Sequence, residues 1–367
     1  MSRPVSVGLI GCGKISDAYF SGTQAYSMLK IVACADLDQA RAEAKAREHG
    51  VRACSVEQLL RDPQIELVIN LTIPVAHAEV NTAALQAGKH VYAEKPFALD
   101  STAGASVLAL ARERALLVGC APDTFLGGGL QTARKAIDDG AIGRPVSAMA
   151  FMLSRGHETW HPSPQFYYQK GGGPMFDMGP YYLTALINFL GPVARVCGST
   201  QSAFTERLIT SQPLAGTKIP VETPTHVAGV LEFVNGGSAT IVTSFDTWPY
   251  PLPRLLVFGT EGTLEAPDPN RFDGAVRIRD AKSDEFREFA PTHTVERGRG
   301  SGAADMACSI LRRERSHRAS GALAQHVLEI MEAFEKSSRT GRHVKIKSRC
   351  ERPAALPVGL APNELDE

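Results

Sequence analysis

Val5-Ser6-Val7-Gly8-Leu9-Ile10-Gly11-Cys12-Gly13-Lys14-Ile15-Ser16 is the stretch whose reading decides the fold. Val5 to Ile10 is a short, largely apolar run that suits a strand buried on both faces of a parallel sheet. The chain then turns through G-x-G-x-x-S. Gly11 permits the tight reversal, Gly13 lets backbone approach a pyrophosphate, and Ser16 stands where the third small residue is expected. A helix is predicted from Asp17 to Lys30, followed by a second buried strand, Ile31 to Ala35, that ends at Asp36. An acid about 20 residues beyond the glycines accepts hydrogen bonds from ribose hydroxyls and repels a 2′-phosphate. The stretch therefore predicts a dinucleotide site and selects NAD, with NADP the lesser alternative through Arg41 swinging toward a phosphate.

Size and composition fit that reading. The 367 residues are 44% hydrophobic and 21% charged, which predicts about two globular domains. Lys plus Arg (39) balance Asp plus Glu (39), so no global field draws nucleic acid or an anionic membrane, and a small molecule is the expected partner. The seven cysteines (12, 34, 54, 120, 197, 308 and 350) form no C-x-x-C and read as buried thiols of a reducing cytoplasm. The N-terminus shows no signal-peptide core, and Arg112, Glu113 and Arg114 interrupt the most apolar long run. A cytoplasmic location, with no membrane partner, is the expectation.

Working outward, a solvent-facing helix is predicted from Asp38 to His49, stopped by Gly50, and another after Ser55 as N-cap. Ile65 to Leu71 is the next strand, placing Thr72 and Pro74 at a strand's carboxyl end, where ligands of such sheets bind. A helix over 76–87 and a strand His90 to Ala93 lead into Glu94-Lys95-Pro96. Strand and helix alternate, which specifies a parallel sheet with right-handed crossovers. Read by itself, Glu94-Lys95 is also compatible with a surface ion pair at a strand end.

Gly11-Cys12-Gly13, Thr72 to His77, Ala87-Gly88-Lys89-His90-Val91 and Glu94-Lys95-Pro96 together resemble the glucose-fructose oxidoreductase, inositol dehydrogenase and MocA family. The likeness extends through most of the chain. It implies an α/β architecture: an N-terminal Rossmann domain (1–122), a C-terminal α+β domain with a large open, mainly antiparallel sheet (123–348), and a tail (349–367). It implies that Lys95 touches the nicotinamide ribose and the substrate hydroxyl. The expected cofactor contacts are Gly11, Gly13, Lys14, Ile15 and Asp36 from the first unit. Thr72, Pro74, His77, Glu94 and Lys95 complete them from the later strand ends. The resemblance also implies a homo-oligomer, a dimer or tetramer. Asp123-Thr124 departs from the Asn and Arg that relatives often carry near the domain crossing.

Gly171-Gly172-Gly173 and Asp177-Met178-Gly179-Pro180-Tyr181 resemble the family's catalytic helix entry. Because proline is tolerated only in a helix's first turn, the helix is predicted to begin near Asp177 and run to Leu190. Asp177 reads equally as an N-cap or as a catalytic acid. Asp177 and Tyr181, four apart, would share one helical face. Much of the family carries His at the second position, as acid/base. Tyr181 stands there in this chain, and Tyr182 reads as core. Lys95, Asp177 and Tyr181 are the expected catalytic set.

His157-Glu158-Thr159-Trp160-His161 matches the zinc-protease motif H-E-x-x-H, which needs both histidines on a helix. Gly156 before it and Pro162-Ser163-Pro164 after it suit a loop, so no metal is expected. His157, Glu158, Trp160 and His161 are read instead as substrate contacts, polar groups for hydroxyls and a flat ring for a sugar, with plain surface packing the alternative. Beyond Leu190, strands are predicted over 194–199, 226–233, 238–244 and 254–258, with Asn235-Gly236-Gly237 as a hairpin turn. Trp248 is read as core or pocket, 297–300 as a flexible basic loop, and His317 and His326 as structural, with an approach of His317-Arg318 to the substrate the alternative. These readings converge on an NAD(P)-dependent dehydrogenase of a sugar, inositol or related polyol. The alternatives are a glycoside-cleaving or eliminating enzyme that recycles NAD, and a non-catalytic nucleotide-binding sensor.

Overall fold

The computed structural model describes residues 3–248 and 250–366. By contact the chain divides into two units, one of residues 1–128, 293–325 and 353–367, the other of 129–292 and 326–352.

The first unit holds β1 (Val5–Ile10), α1 (Ser16–Thr23), β2 (Leu29–Ala35), α2 (Gln39–His49), β3 (Arg52–Ala53), α3 (Val56–Arg61), β4 (Leu67–Asn70), α4 (His77–Gln86), β5 (His90–Ala93), α5 (Ser101–Glu113) and β6 (Val118–Cys120). Its six strands lie in the order β3-β2-β1-β4-β5-β6, and every pair is parallel. Val5, Val7, Leu9 and all of β4 are buried, as strands covered on both faces require. Gly8 has a packing role. A Cβ there would meet Leu59 Cδ2 at 2.7 Å, so the missing side chain lets α3 sit directly on the sheet. Burying Leu59 in that way contributes roughly 1.5–3 kcal/mol.

The helix predicted over 17–30 is shorter than expected. It ends at Thr23, and Leu29 and Lys30 already belong to β2. Two segments predicted as loose are packed. The 297–300 loop lies on α1, where a Cβ at Gly22 would fall 1.9 Å from the Arg299 carbonyl oxygen. Asp123, fully buried, accepts from Arg299 Nη1 (3.0 Å) and from the N–H groups of Gly300 (2.8 Å) and Gly302 (3.2 Å). The expected tail contributes to this unit as well, with Leu356 and Leu365 buried.

The second unit contains α6 (Gly128–Asp138), β7 (Pro145–Leu153), α7 (Gly173–Asp177), α8 (Gly179–Leu190), β8 (Val193–Gln201), β9 (Glu206–Leu208), β10 (Lys218–Pro220), β11 (His226–Phe233), β12 (Ser238–Ser244), β13 (Leu255–Gly259), β14 (Gly262–Ala266), β15 (Val276–Asp280) and β16 (Arg287–Phe289). α9 (Ser301–Arg312) belongs to the first unit, while most of α10 (Gly321–Thr340) and β17 (Val344–Lys345) belong to the second. Nine strands form a sheet in the order β16-β15-β14-β13-β7-β12-β11-β8-β17, and only β7 and β12 pair in parallel. Gly236 and Gly237 take positive φ in the predicted hairpin between β11 and β12. Gly198 and Gly229, paired across β8 and β11, leave a slot for the Phe334 ring of α10.

The helix predicted to begin near Asp177 and run to Leu190 is α8, and a separate short helix precedes it. α7 closes at Asp177, Met178 interrupts (φ −108°, ψ −26°), and α8 starts at Gly179 with Pro180 in its first turn. α8 is apolar all round and buried from Gly179 to Phe189, as such a helix must be.

Two histidines, His90 half-buried and His326 buried, each accept a backbone N–H: His90 Nδ1 from Leu117 (2.9 Å) and His326 Nε2 from Val193 (2.9 Å). Accepting requires neutral rings, and burial lowers both pKa values from the ordinary 6.5. Below about pH 6.5 the unfolded chain takes up protons that the folded chain refuses, so this stability is full above that pH and is lost beneath it. Denaturant midpoints should therefore fall between about pH 7.5 and pH 5.5. His326→Gln should remove part of the slope, at most about 1.4 kcal/mol per pH unit. A slope unchanged in that variant would show that His326 does not contribute.

Candidate active site

In the first unit the geometry begins at Gly11, whose φ of +101° suits glycine and whose added Cβ would stand 2.6 Å from the Leu71 carbonyl. The turn is thereby pressed against the end of β4. Cys12 N–H donates to Asp36 Oδ2 (2.7 Å), and Asp38 N–H to Asp36 Oδ1 (2.9 Å). The acid at the end of β2 is thus oriented by the glycine turn itself. At Gly13 an added Cβ would meet no described atom within 4 Å, the open approach that a pyrophosphate requires. Ser16 explains the departure from a third glycine. It is fully buried at the start of α1, and its hydroxyl donates to Gly13 O (2.7 Å). Lys14 is exposed and Ile15 half-buried just ahead of α1, whose free N–H groups face an anion favourably. Leu37, Ile73 and Val75 are exposed apolar side chains at the ends of β2 and β4. Arg41 reaches Asp38 at 3.8 Å.

Further along, Thr72 donates its hydroxyl (2.7 Å) and its N–H (3.1 Å) to Asn70 Oδ1, with Pro74 half-buried beyond it. His77, expected at the cofactor, is 1% exposed; its Nδ1 lies 2.6 Å from Pro96 O and its Nε2 2.9 Å from Thr72 O. It braces two strand-end loops. Glu94 is also buried, and is no surface partner for Lys95. Its Oε1 accepts from Tyr19 (2.9 Å) and its Oε2 from the Lys95 N–H (2.9 Å). Burial, then the Glu94 charge, push the Tyr19 phenol well above its ordinary pKa, which keeps it a donor. Tyr19 carried no sequence signal beyond its place in the first helix.

In the second unit, residues 157–161 form a single turn, closed by His161 N–H on His157 O (2.9 Å), and no helix. Among the described residues, the one group of three clustered metal-capable side chains is Asp17, Glu48 and His49, where the Lys45 ammonium already pairs with both acids. The residues expected at the substrate divide. Trp160 is 57% exposed. His161 Nδ1 accepts from Ser163 N–H (3.0 Å). Glu158 is buried, with Oε1 on Arg207 Nη1 (3.0 Å) and Oε2 accepting from the Tyr168 hydroxyl, so it anchors the turn. Arg207, which no motif marks, also reaches Asp246 and the Phe245 carbonyl (3.1 Å). Trp248 is exposed, under the Arg155 guanidinium at 4.6 Å.

His157 Nε2 lies 3.3 Å from Asp177 Oδ2. Asp177 closes α7, and Met178 takes the N-cap position of α8 without a side-chain bond of its own. A one-residue break at Met178 separates Asp177 from Tyr181. Tyr181 is buried in the first turn of α8. Tyr182 is fully buried and accepts from Arg254 Nη1 (3.3 Å), and burial pushes its phenol up to about 12. It is core, as its position predicts.

Comparison with known proteins bears directly on this arrangement. Residues 5–121 match the model of the oxidoreductase family with an NAD-binding Rossmann fold, and residues 130–265 match the GFO/IDH/MocA C-terminal domain. The chain is 32% identical over 146 residues to 1,5-anhydro-D-fructose reductase of Ensifer adhaerens, covering 39% of this chain and 44% of that one. It is 32% identical over 151 residues to inositol 2-dehydrogenase/D-chiro-inositol 3-dehydrogenase of Lactiplantibacillus plantarum, covering 38% and 41%. The chain thus spans less than half the length of these two curated relatives. The fold is shared with levoglucosan dehydrogenase in complex with NADH and levoglucosan, at a TM-score of 0.81 and 22% identity over 94% of this chain and 100% of that one. Two family models that together span more than half the sequence, and a glycine turn built for a dinucleotide, make this chain a member of the Gfo/Idh/MocA family of NAD-binding oxidoreductases.

Proposed function

We propose that this protein is an NAD-dependent dehydrogenase acting on a secondary alcohol of a sugar, inositol or related polyol, or on the matching ketone in reverse. The observation that carries the reading is the Asp36 carboxylate, held at the end of β2 by the Cys12 N–H at 2.7 Å in the turn where Gly13 leaves backbone open. A carboxylate so held accepts from ribose hydroxyls and repels a 2′-phosphate. NAD, when bound, supplies the hydride acceptor. The protein's own groups handle the proton and the charge. Tyr181 takes the hydroxyl proton on oxidation and returns it on reduction. Lys95 stabilises developing alkoxide, with its backbone held by Glu94. Asp177 orients the substrate hydroxyl, and Trp160 offers an apolar face to a ring. The names of the relatives, a sugar reductase and an inositol dehydrogenase, support this substrate class.

A panel of sugars, inositols and polyols with NAD and with NADP, followed by absorbance of reduced nicotinamide, should give net NADH formation with at least one free polyol. None from any member of the panel would discard the reading. Asp36→Ala should raise the KM for NAD roughly tenfold or more and narrow the preference over NADP, as expected for loss of charge-assisted hydrogen bonds. An unchanged cofactor ratio would remove Asp36 from that role. Tyr181→Phe should lower kcat by roughly 10²- to 10⁴-fold while NADH binding, followed by nicotinamide fluorescence, stays at the wild-type level. Undiminished turnover would rule out Tyr181 as the proton carrier.

A further inference from the structure

The loop after β7 places an imidazole on the carboxylate that closes α7: His157 Nε2 stands 3.3 Å from Asp177 Oδ2, and both side chains are nearly buried. The ring is clamped on three sides, by Tyr167 (centroids 4.1 Å apart), Phe245 (4.5 Å) and Trp160 (5.1 Å). Its backbone N–H donates to the Tyr168 hydroxyl (3.2 Å), which in turn donates to Glu158. His157 Nδ1 is closed to solvent and has no hydrogen-bond partner among the described residues.

A carboxylate only accepts, so a hydrogen bond across the 3.3 Å contact needs hydrogen on Nε2, and a buried N–H left at Nδ1 without an acceptor would forfeit a full hydrogen bond. That pairing corresponds to the tautomer with hydrogen on Nε2 and a lone pair on Nδ1. The imidazole that faces the Asp177 carboxylate is itself held between three rings.

Resting on the dehydrogenase reading, we propose that His157 is the positioning residue for Asp177: its Nε2–H holds the carboxylate in the orientation that meets the substrate hydroxyl. It acts through Asp177 and not on the substrate, since its second nitrogen is shut away. A flexible carboxylate would present the hydroxyl in many geometries, few of them productive, so the loss appears in kcat more than in substrate KM.

Two readouts on the full-length chain test this. In the first, long-range ¹⁵N–¹H spectra of the ¹⁵N-histidine-labelled protein, without nicotinamide, should show one imidazole as the Nε2–H tautomer that disappears in His157→Leu. The same signal should shift in Asp177→Asn. A His157 signal that is the other tautomer, or that ignores Asp177→Asn, overturns the pairing. In the second, on a substrate found active in the panel, His157→Leu should lower kcat roughly 10- to 100-fold with NADH binding unchanged. His157→Gln keeps a side-chain N–H donor and should recover most of that loss, which separates a lost donor from a damaged fold. The His157→Leu/Asp177→Asn double variant should be no slower than Asp177→Asn alone. Wild-type kcat in His157→Leu, or fully additive losses in the double variant, overturns the inference while leaving the dehydrogenase reading intact. If the wild-type chain reduces NAD with no polyol, the dehydrogenase reading fails and the catalytic role of His157 falls with it.

Discussion

At Gly11 the turn after β1 lies so close to Leu71 and Thr72 that no side chain fits between them, the nearest atoms standing 2.6 Å from where a Cβ would be. The constraint is geometric, and its consequences are electrostatic. With the turn pressed onto the end of β4, the Cys12 N–H points at Asp36, and a single carboxylate is held from the turn on one oxygen and from Asp38 on the other. On the far side of the contact, Asn70 at the end of β4 takes both donors of Thr72 and gives its amide to Asn81 and to the His77 carbonyl. The ends of β1, β2 and β4 are thus tied by backbone and short polar groups, which move less than long side chains do. A dinucleotide needs several contacts fixed at once, and strand ends tied in this way are fixed before any ligand arrives.

The same economy of parts reaches Lys95. A lysine and a glutamate adjacent at a strand end read as a solvated pair, and such a pair contributes little. Here the acid is buried and faces inward, bonding the Tyr19 hydroxyl of α1 and the backbone N–H of Lys95. His77 takes hold of the following residue through the Pro96 carbonyl. The helix that follows the glycine turn and the helix that follows β4 therefore both fix the backbone on which Lys95 stands. A cation on a long flexible stem is placed by fixing its base.

The order of elements in the first unit was legible because parallel strands buried on both faces leave long apolar runs, and because glycine is the residue that a turn as close as Gly11 tolerates. Boundaries were less so. Residues 24–30 carry no breaker stronger than Gly22 and Pro is absent, yet the helix stops at Thr23, because pairing with β1 claims Leu29 to Ala35 for the sheet. The break at Met178 was also hidden. Pro180 marked the first turn of a helix, but a second, shorter helix with its own proline, Pro174, ends three residues before it. The fold of the later segments depended on partners distant in sequence. Asp123 with Arg299, and the glycine slot for Phe334, join residues more than 100 positions apart, and neither makes a local pattern.

The H-E-x-x-H letters show why residue types alone mislead at a site. On a helix, the two histidines and the glutamate would converge on one face. In a single tight turn they diverge, each toward a different neighbour. His157 goes to Asp177, Glu158 to Arg207 and Tyr168, and His161 to its own downstream backbone, while Trp160 is left outside. Glu158 and Asp246 share the Arg207 guanidinium, all three nearly buried, and breaking such a pairing strands a charge at a cost of about 3–5 kcal/mol. The inward half of the motif therefore fixes the turn, and it is this fixed turn that sets the imidazole against the carboxylate of α7. The backbone conformation, and not the motif, divides these side chains between structure and chemistry.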